Sequence, residues 1–373
     1  MFSWWARRGF PLLAVVLVVG SDWSLAQPRS QPPPLPSIAA RKLIISGHYD
    51  SQGKLEDGRI VWWEWRGEVE VRLGRARVKT ELVRYEAEGP QLLFPRGLRL
   101  VTDYLDLEAR QGLVLPGEDR FVLGNGAEGR IHSNKLASPV RVRCERVEGK
   151  LEADGGGVVH LTGGVEVSSG RVDVVAPEVT LDLTQGRLSV PSGEGVEATL
   201  RLPRLPRPHL SSSTAKLSGE GLEASWEREG SFSFTLNKAR VELAPMVLSS
   251  ARVEGEGNRQ QGLVMVQGPP GEGEVRLSLG DFPEPGETTR ISARSFRLEM
   301  VRRRLTLSGG VVLEGPTGRM ETEEVWITFL AQGDYVIELP SPSRVVIDDA
   351  EVGQMLEEEG DGQGSREASQ RGG

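Results

Sequence analysis

Residues 124–129 read Gly-Asn-Gly-Ala-Glu-Gly, a G-x-G-x-x-G spacing. Such glycines cradle a pyrophosphate when a helix follows at once, so that the phosphate sits on the helix N-terminus. Here the next residues are Arg-Ile-His-Ser-Asn-Lys-Leu-Ala-Ser-Pro, without a helical face. The motif is therefore expected to be a glycine-rich loop. The four histidines, His48, His132, His160 and His209, lie far apart, and none has metal-ligand spacing. Neither G-x-S-x-G nor H-E-x-x-H occurs. Cys144, the one cysteine, cannot close an internal disulfide and is read as a strand residue. The many acidic residues fall on the polar phase of strands, where a solvated face explains them. No catalytic, metal or cofactor site is expected, and the chain is read as a non-enzyme.

With nucleophiles and ligands set aside, the chemistry left is apolar. Apolar residues make up 38% of the 373 and aromatics only 6%, so a core must be built from Val, Leu and Ile. Charged residues reach 26%, with 45 basic and 53 acidic residues and a net charge of −8. Both signs are dispersed, unlike the clustered basic footprint of a nucleic-acid binder. The 46 glycines between short Val-rich runs suggest many turns, and hence antiparallel β structure. Period-2 alternation recurs at 69–73, 141–151, 179–183, 231–236, 303–315 and 324–329. No long stretch has apolar residues at i, i+3, i+4 and i+7, so helices should be few and short. Residues 103–112 fit a helical turn or a strand equally well.

The ends have different compositions. Arg7 and Arg8 precede an apolar run from Phe10 to Val19 and small residues ending at Ala26. That order predicts a secretory signal over 1–26, cleaved after Ala26, because the run is short for a membrane span of ~20 residues. An uncleaved inner-membrane anchor is the alternative. A Pro-rich linker follows over 27–40. The first β unit is expected over 41–200 and the second over 215–347. Between them, residues 201–214 carry Pro203, Pro206 and Pro208, where a sheet must stop or bend. The acidic, Gly-rich tail 348–373 is expected to be disordered. Trp62, Trp63 and Trp65 are expected to cover one end of the core; the sharper alternative is an aromatic edge that meets a membrane partner.

One small sheet pattern is written three times, opening at Gly67, Gly164 and Gly310 and closing at Gly89, Gly186 and Gly333. Each copy has a strand, a turn ending in Gly-Arg at 74–75, 170–171 and 318–319, then a strand with a central glutamate (Glu81, Glu178, Glu324). In the second copy Val165, Val167, Val172, Val174, Val179 and Leu181 take one strand face, while Glu166, Asp173, Thr180 and Asp182 take the other. In the third the apolar set is Val311, Leu313, Val325, Ile327 and Phe329. In the first copy the phase shifts at Val83, Arg84 and Tyr85. These side chains are expected to form one apolar wall.

The pattern G-x-V-x-V, turn, G-R, A-x-E-V-x-L-D, G-R-L resembles the repeated unit of the OstA-like proteins. That family includes the periplasmic bridge proteins of lipopolysaccharide transport of the LptA and LptC type. The best match is residues 164–188, "GVEVSSGRVDVVAPEVTLDLTQGRL". The resemblance implies an all-β fold, an open β-jelly roll or folded-over antiparallel sheet whose layers face across an apolar groove. It implies a periplasmic protein that shields the acyl chains of lipopolysaccharide or a related glycolipid on the way to the outer membrane. It also implies partners among other lipopolysaccharide-transport proteins, and further copies of the chain, joined strand to strand at open sheet edges. On this reading Val165, Val167, Val172, Val174, Val179, Leu181, Val311, Leu313, Val325 and Ile327 line the groove. The alternative is a non-catalytic structural or scaffolding β protein of the cell envelope. A carbohydrate-binding or polysaccharide-modifying β-helix is disfavoured, because its rungs recur every ~20–25 residues, whereas these copies open 97 and 146 residues apart, at Gly67, Gly164 and Gly310.

Overall fold

The computed structural model describes residues 15–17, 43–57, 59–89, 91–132, 139–150, 157–169, 172–201, 214–226, 231–243, 246–258, 262–269, 275–280, 288–316, 318–330 and 335–347. The linker 27–40, the proline stretch from Pro203 to Pro208 and the tail 348–373 lie outside these residues. So does all of the N-terminal segment 1–26 except 15–17. Among the described residues every regular element is a strand, and no helix is long and apolar enough to cross a membrane. The fold is all-β and the strand pairings are antiparallel, in keeping with a β-jelly-roll-like sheet.

The chain divides into two compact units, Met1–Val196 with Glu223–Ser231, and Glu197–Leu222 with Phe232–Gly373. The first holds β1 (Val15–Leu17), β2 (Leu43–Glu56), β3 (Arg59–Leu73), β4 (Ala76–Glu86), β5 (Gln91–Phe94), β6 (Leu98–Val101) and β7 (Leu105–Leu115). It continues with β8 (Arg120–Ile131), β9 (Val140–Cys144), β10 (Arg146–Lys150), β11 (Val158–Ser168) and β12 (Val172–Asp182). Both β13 (Arg187–Arg201) and β14 (Thr214–Trp226) have residues in each unit. From Phe232 on, the second unit takes β15 (Ser231–Leu243), β16 (Met246–Asn258), β17 (Gly262–Gly268), β18 (Val275–Gly280) and β19 (Thr288–Ala293). It ends with β20 (Ser295–Glu299), β21 (Arg304–Gly315), β22 (Gly318–Phe329), β23 (Tyr335–Glu338) and β24 (Ser343–Ile347).

The first unit is built mainly of antiparallel strand pairs that are neighbours in sequence, with breaks and bulges at several of them. β4 pairs β6 over 77–80 and β5 over 84–86, and β7 pairs the same two from the other side. β5 and β6 thus act as one strand broken at residues 95–97. In the same way β9 and β10, broken at Glu145, lie between the two halves of β8 and the two halves of β11. The second unit repeats the device with β19 and β20, broken at Arg294, against β21.

At the bend each long hairpin carries a bulge in which two residues oppose one. The pairs are Gly67 and Glu68 against Glu81, Asn125 and Gly126 against Arg110, Gly163 and Gly164 against Pro177, and Gly309 and Gly310 against Glu323. A bulge adds local twist and bends the strand, which turns a flat hairpin into a corner. Gly163 and Gly164 have φ of 82° and 61°, and Gly309 and Gly310 have 87° and 68°, all in the region that favours glycine. Pro177 fits its place because a bulge spares it a ladder donor. The glycines that open the sequence copies are therefore mid-strand corners and not strand starts.

Two other expectations change. Residues 124–129 are not a loop but the middle of β8, and Gly126 N–H donates to Glu145 O at 3.1 Å. The stretch from 103 resolves as strand β7. Gly74 and Arg75 form the tight turn between β3 and β4, but Gly318 and Arg319 begin β22, paired with Gly315 and Glu314. Residues 170–171 lie outside the described part.

Many glycines mark neither turns nor corners. A Cβ on Gly53 would fall 2.2 Å from the Trp63 ring, on Gly149 2.8 Å from Phe121, on Gly255 2.2 Å from Phe234 and on Gly268 2.6 Å from Phe296. Each is a strand residue whose missing side chain leaves room for an aromatic ring. A chain with few aromatics uses them to cover bare backbone and seal the core.

Candidate functional site

The ten expected wall residues occupy two hairpins. In the first unit Val165 and Val167 lie on β11, and Val172, Val174, Val179 and Leu181 on β12. In the second, Val311 and Leu313 lie on β21, and Val325 and Ile327 on β22. All are buried except Val172, which is half-buried. They do not form one flat wall. Within β12 the buried set moves from Val174 and Ala176 to Val179 and Leu181, a change of phase across Pro177. β22 changes the same way between Thr322 and Val325, and β4 between Val78 and Val83. The irregularity in the first sequence copy is this corner, which all three hairpins share.

The corner brings the two halves of β12 face to face. Val172, Val174, Leu181 and Leu183 line a single apolar cleft, together with Val140, Val167, Leu188 and Trp226. A straight strand rises ~3.3 Å per residue, so Val172 and Leu181 would otherwise stand about 30 Å apart. Sharing one cleft requires the strand to fold over. Of the ten expected residues, Val167, Val172, Val174 and Leu181 meet here, and the other six do not. Ser169, Asp182 and Arg187 border the cleft as well, but the surface it presents is almost wholly apolar. Asp182 accepts the Gln185 N–H at 2.8 Å.

Next to the cleft residues the same strands carry side chains closed to solvent. Leu123, Val147, Leu161 and Val179 are cross-strand neighbours in one row, and each is fully buried. Phe121, Gly149, Val159 and Leu181 form the next row. The cleft itself has a volume of only about 30 Å³, room for about two waters. An acyl chain does not fit without the layers parting or a cover moving aside.

Outward residues form ion-pair ladders. Arg99 donates twice to Asp106, both at 2.8 Å, and this hydrogen bonding holds the Asp106 carboxyl below its ordinary range. Arg120 and Arg146 both bond Glu148. Such exposed pairs contribute about 0–1 kcal/mol each, so the polar face solubilises the sheet and adds little to its stability.

The tryptophans divide. Trp65 is buried, while Trp62 is half-buried with the Arg84 guanidinium stacked 4.9 Å from its ring centre. Trp63, over Gly53, is half-buried too. Cys144 ends β9, buried, with its S–H donating to Arg146 O at 3.3 Å. Burial pushes its thiol up to about 11, so little nucleophilic thiolate exists near neutrality. Iodoacetamide at pH 8 is expected to leave Cys144 unmodified in the folded chain and to alkylate it fully in urea. Mass spectrometry reads the result, and rapid alkylation of the native chain would contradict this burial.

No family model matches the chain, and no curated protein matches it. Among solved structures it is similar to the crystal structure of LptH, the LptA-homologous periplasmic component of the conserved lipopolysaccharide transport device from Pseudomonas aeruginosa. The two share 12% identity, and the match covers 36% of this chain and 94% of that one at a TM-score of 0.28.

Proposed function

We propose that this chain is a non-catalytic periplasmic lipid-binding protein, a bridge in lipopolysaccharide transport to the outer membrane. The observation that carries this reading is the folded β12, whose two halves present aliphatic side chains to each other across one apolar cleft. Burying an acyl chain between such layers contributes about 0.8 kcal/mol per CH₂, and Val and Leu suffice to supply it. Residues 164–188, with their OstA-like pattern, contain most of that cleft. The basic, apolar and small-residue N-terminus supports export to the periplasm. Sheet edges supply the sites at which other transport proteins would pair.

A photoreactive amino acid at Val167 or at Leu313 is expected to crosslink lipopolysaccharide when the protein is expressed in a cell that makes it. An anti-lipopolysaccharide blot of the purified protein measures this. Clean protein from both positions would remove the lipid reading. One observation favours a second reading, a structural envelope protein with dry cores: the row Leu123, Val147, Leu161 and Val179 is wholly closed to solvent.

A further inference from the structure

The outer side of β2 is an open sheet edge that is covered along one short stretch. β2 pairs with β3 along its whole length, Leu43–Glu56. On its other side, among the described residues, it pairs only with β1. That ladder is antiparallel, with Val15 opposite Ile45, Val16 opposite Ile44 and Leu17 opposite Leu43. An open edge is a template for a further strand, and charged side chains or a bulge are the usual protection. From His48 on, β2 has such protection. Asp50, Lys54 and Glu56 are exposed, and the register with β3 shifts between Lys54 and Leu55. Leu43, Ile44 and Ile45 have neither a charge nor a bulge. β1 thus covers the uncharged, aliphatic part of the edge.

We infer that the N-terminal apolar run is an intramolecular edge strand, which closes this stretch in the intact chain and gives it up when the leader, residues 1–26, is cut off. This rests on the export reading of the leader and is independent of lipid binding. β1 lies inside the apolar run from Phe10 to Val19, and the connection to β2, residues 18–42, includes the expected cleavage point after Ala26. While that connection is whole, the two strands meet at the effective concentration of a tether, on the order of millimolar. Cleavage makes the same contact bimolecular. A ladder of three residue pairs cannot offset the loss of translational freedom that association costs. The cut therefore opens the edge without a change elsewhere in the unit. Strand addition at Leu43–Ile45 then waits for export, which keeps unexported copies from pairing there.

The test is hydrogen exchange by mass spectrometry on the full chain, made without export so that the leader stays on. In an antiparallel ladder alternate residues face the partner, so either Val15 or Val16 directs its N–H toward β2. Proline removes that donor. One of Val15→Pro and Val16→Pro should therefore speed exchange over 43–45 by roughly five-fold, the effect of about one hydrogen bond. Exchange over β7 should not change, which shows that the sheet is intact. Cutting the folded native chain after Ala26 with signal peptidase, and removing the released peptide, should give the same rise. No change with either proline overturns the inference, as does protection that survives the cut at every protein concentration. Protection that survives only at high concentration means that a second copy has replaced the leader, and it supports the release.

Discussion

Val179→Arg is expected to destabilise the first unit by about 4 kcal/mol or more, whereas Val167→Arg should cost about 1–2 kcal/mol. The two residues lie in one hairpin and both are buried, so composition and strand position do not separate them. Their surroundings do. Val179 is fully buried in the row with Leu123, Val147 and Leu161, and it does not line the cleft. An arginine there would carry an unpaired charge into a dry interior, which costs several kcal/mol even after relaxation. Val167 lines the cleft, near the polar Ser169 and Asp182. A long side chain placed there can run along apolar surface and set its guanidinium in water. Urea unfolding followed by tryptophan fluorescence gives both values. Equal losses at the two positions would mean that the cleft does not open to solvent and that both layers belong to a closed core.

The all-β class and many inward residues were legible from alternation, because a period of two leaves little choice of face. The bend was not. A one-residue mismatch between paired strands is invisible in either strand alone; it appears only when Gly163 and Gly164 are set against Pro177. The glycines gave a signal, but an ambiguous one. The same residue type marks the tight turn at Gly74, the corner at Gly310 and the seat of an aromatic ring at Gly149. The pyrophosphate-like spacing at 124–129 arose from the corner of β8, where Asn125 and Gly126 both take positive φ, 61° and 89°. Trp226 could not be found by pattern, since it belongs to no copy of the repeated unit and reaches the cleft from a distant strand. A useful clue was present in the first copy, where the apolar phase breaks at Val83. Read as a fold line and not as decay of the pattern, that break locates the corner.

Gly67→Ala tests the corner directly and is expected to cost about 3 kcal/mol or more, the sum of two effects of about 1–3 kcal/mol each. Gly67 has φ of 128°, where a side chain is strained. A Cβ built on it would stand 2.4 Å from His48 O, a backbone atom that no rotamer change can move aside. Across the ladder, Gly47 has φ of 130° and its Cβ would fall 1.9 Å from Glu68 O. The two strands thus cross so closely that neither tolerates a methyl group, and the pair of glycines sets how sharply β2 and β3 fold. Gly89→Ala is the control, because Gly89 has open space around its Cβ position; its effect should stay within about 0.5 kcal/mol. Thermal melting of both variants measures the difference. A neutral Gly67→Ala would mean that the strands part at this corner with little cost. The layers would then be free to open along the fold line.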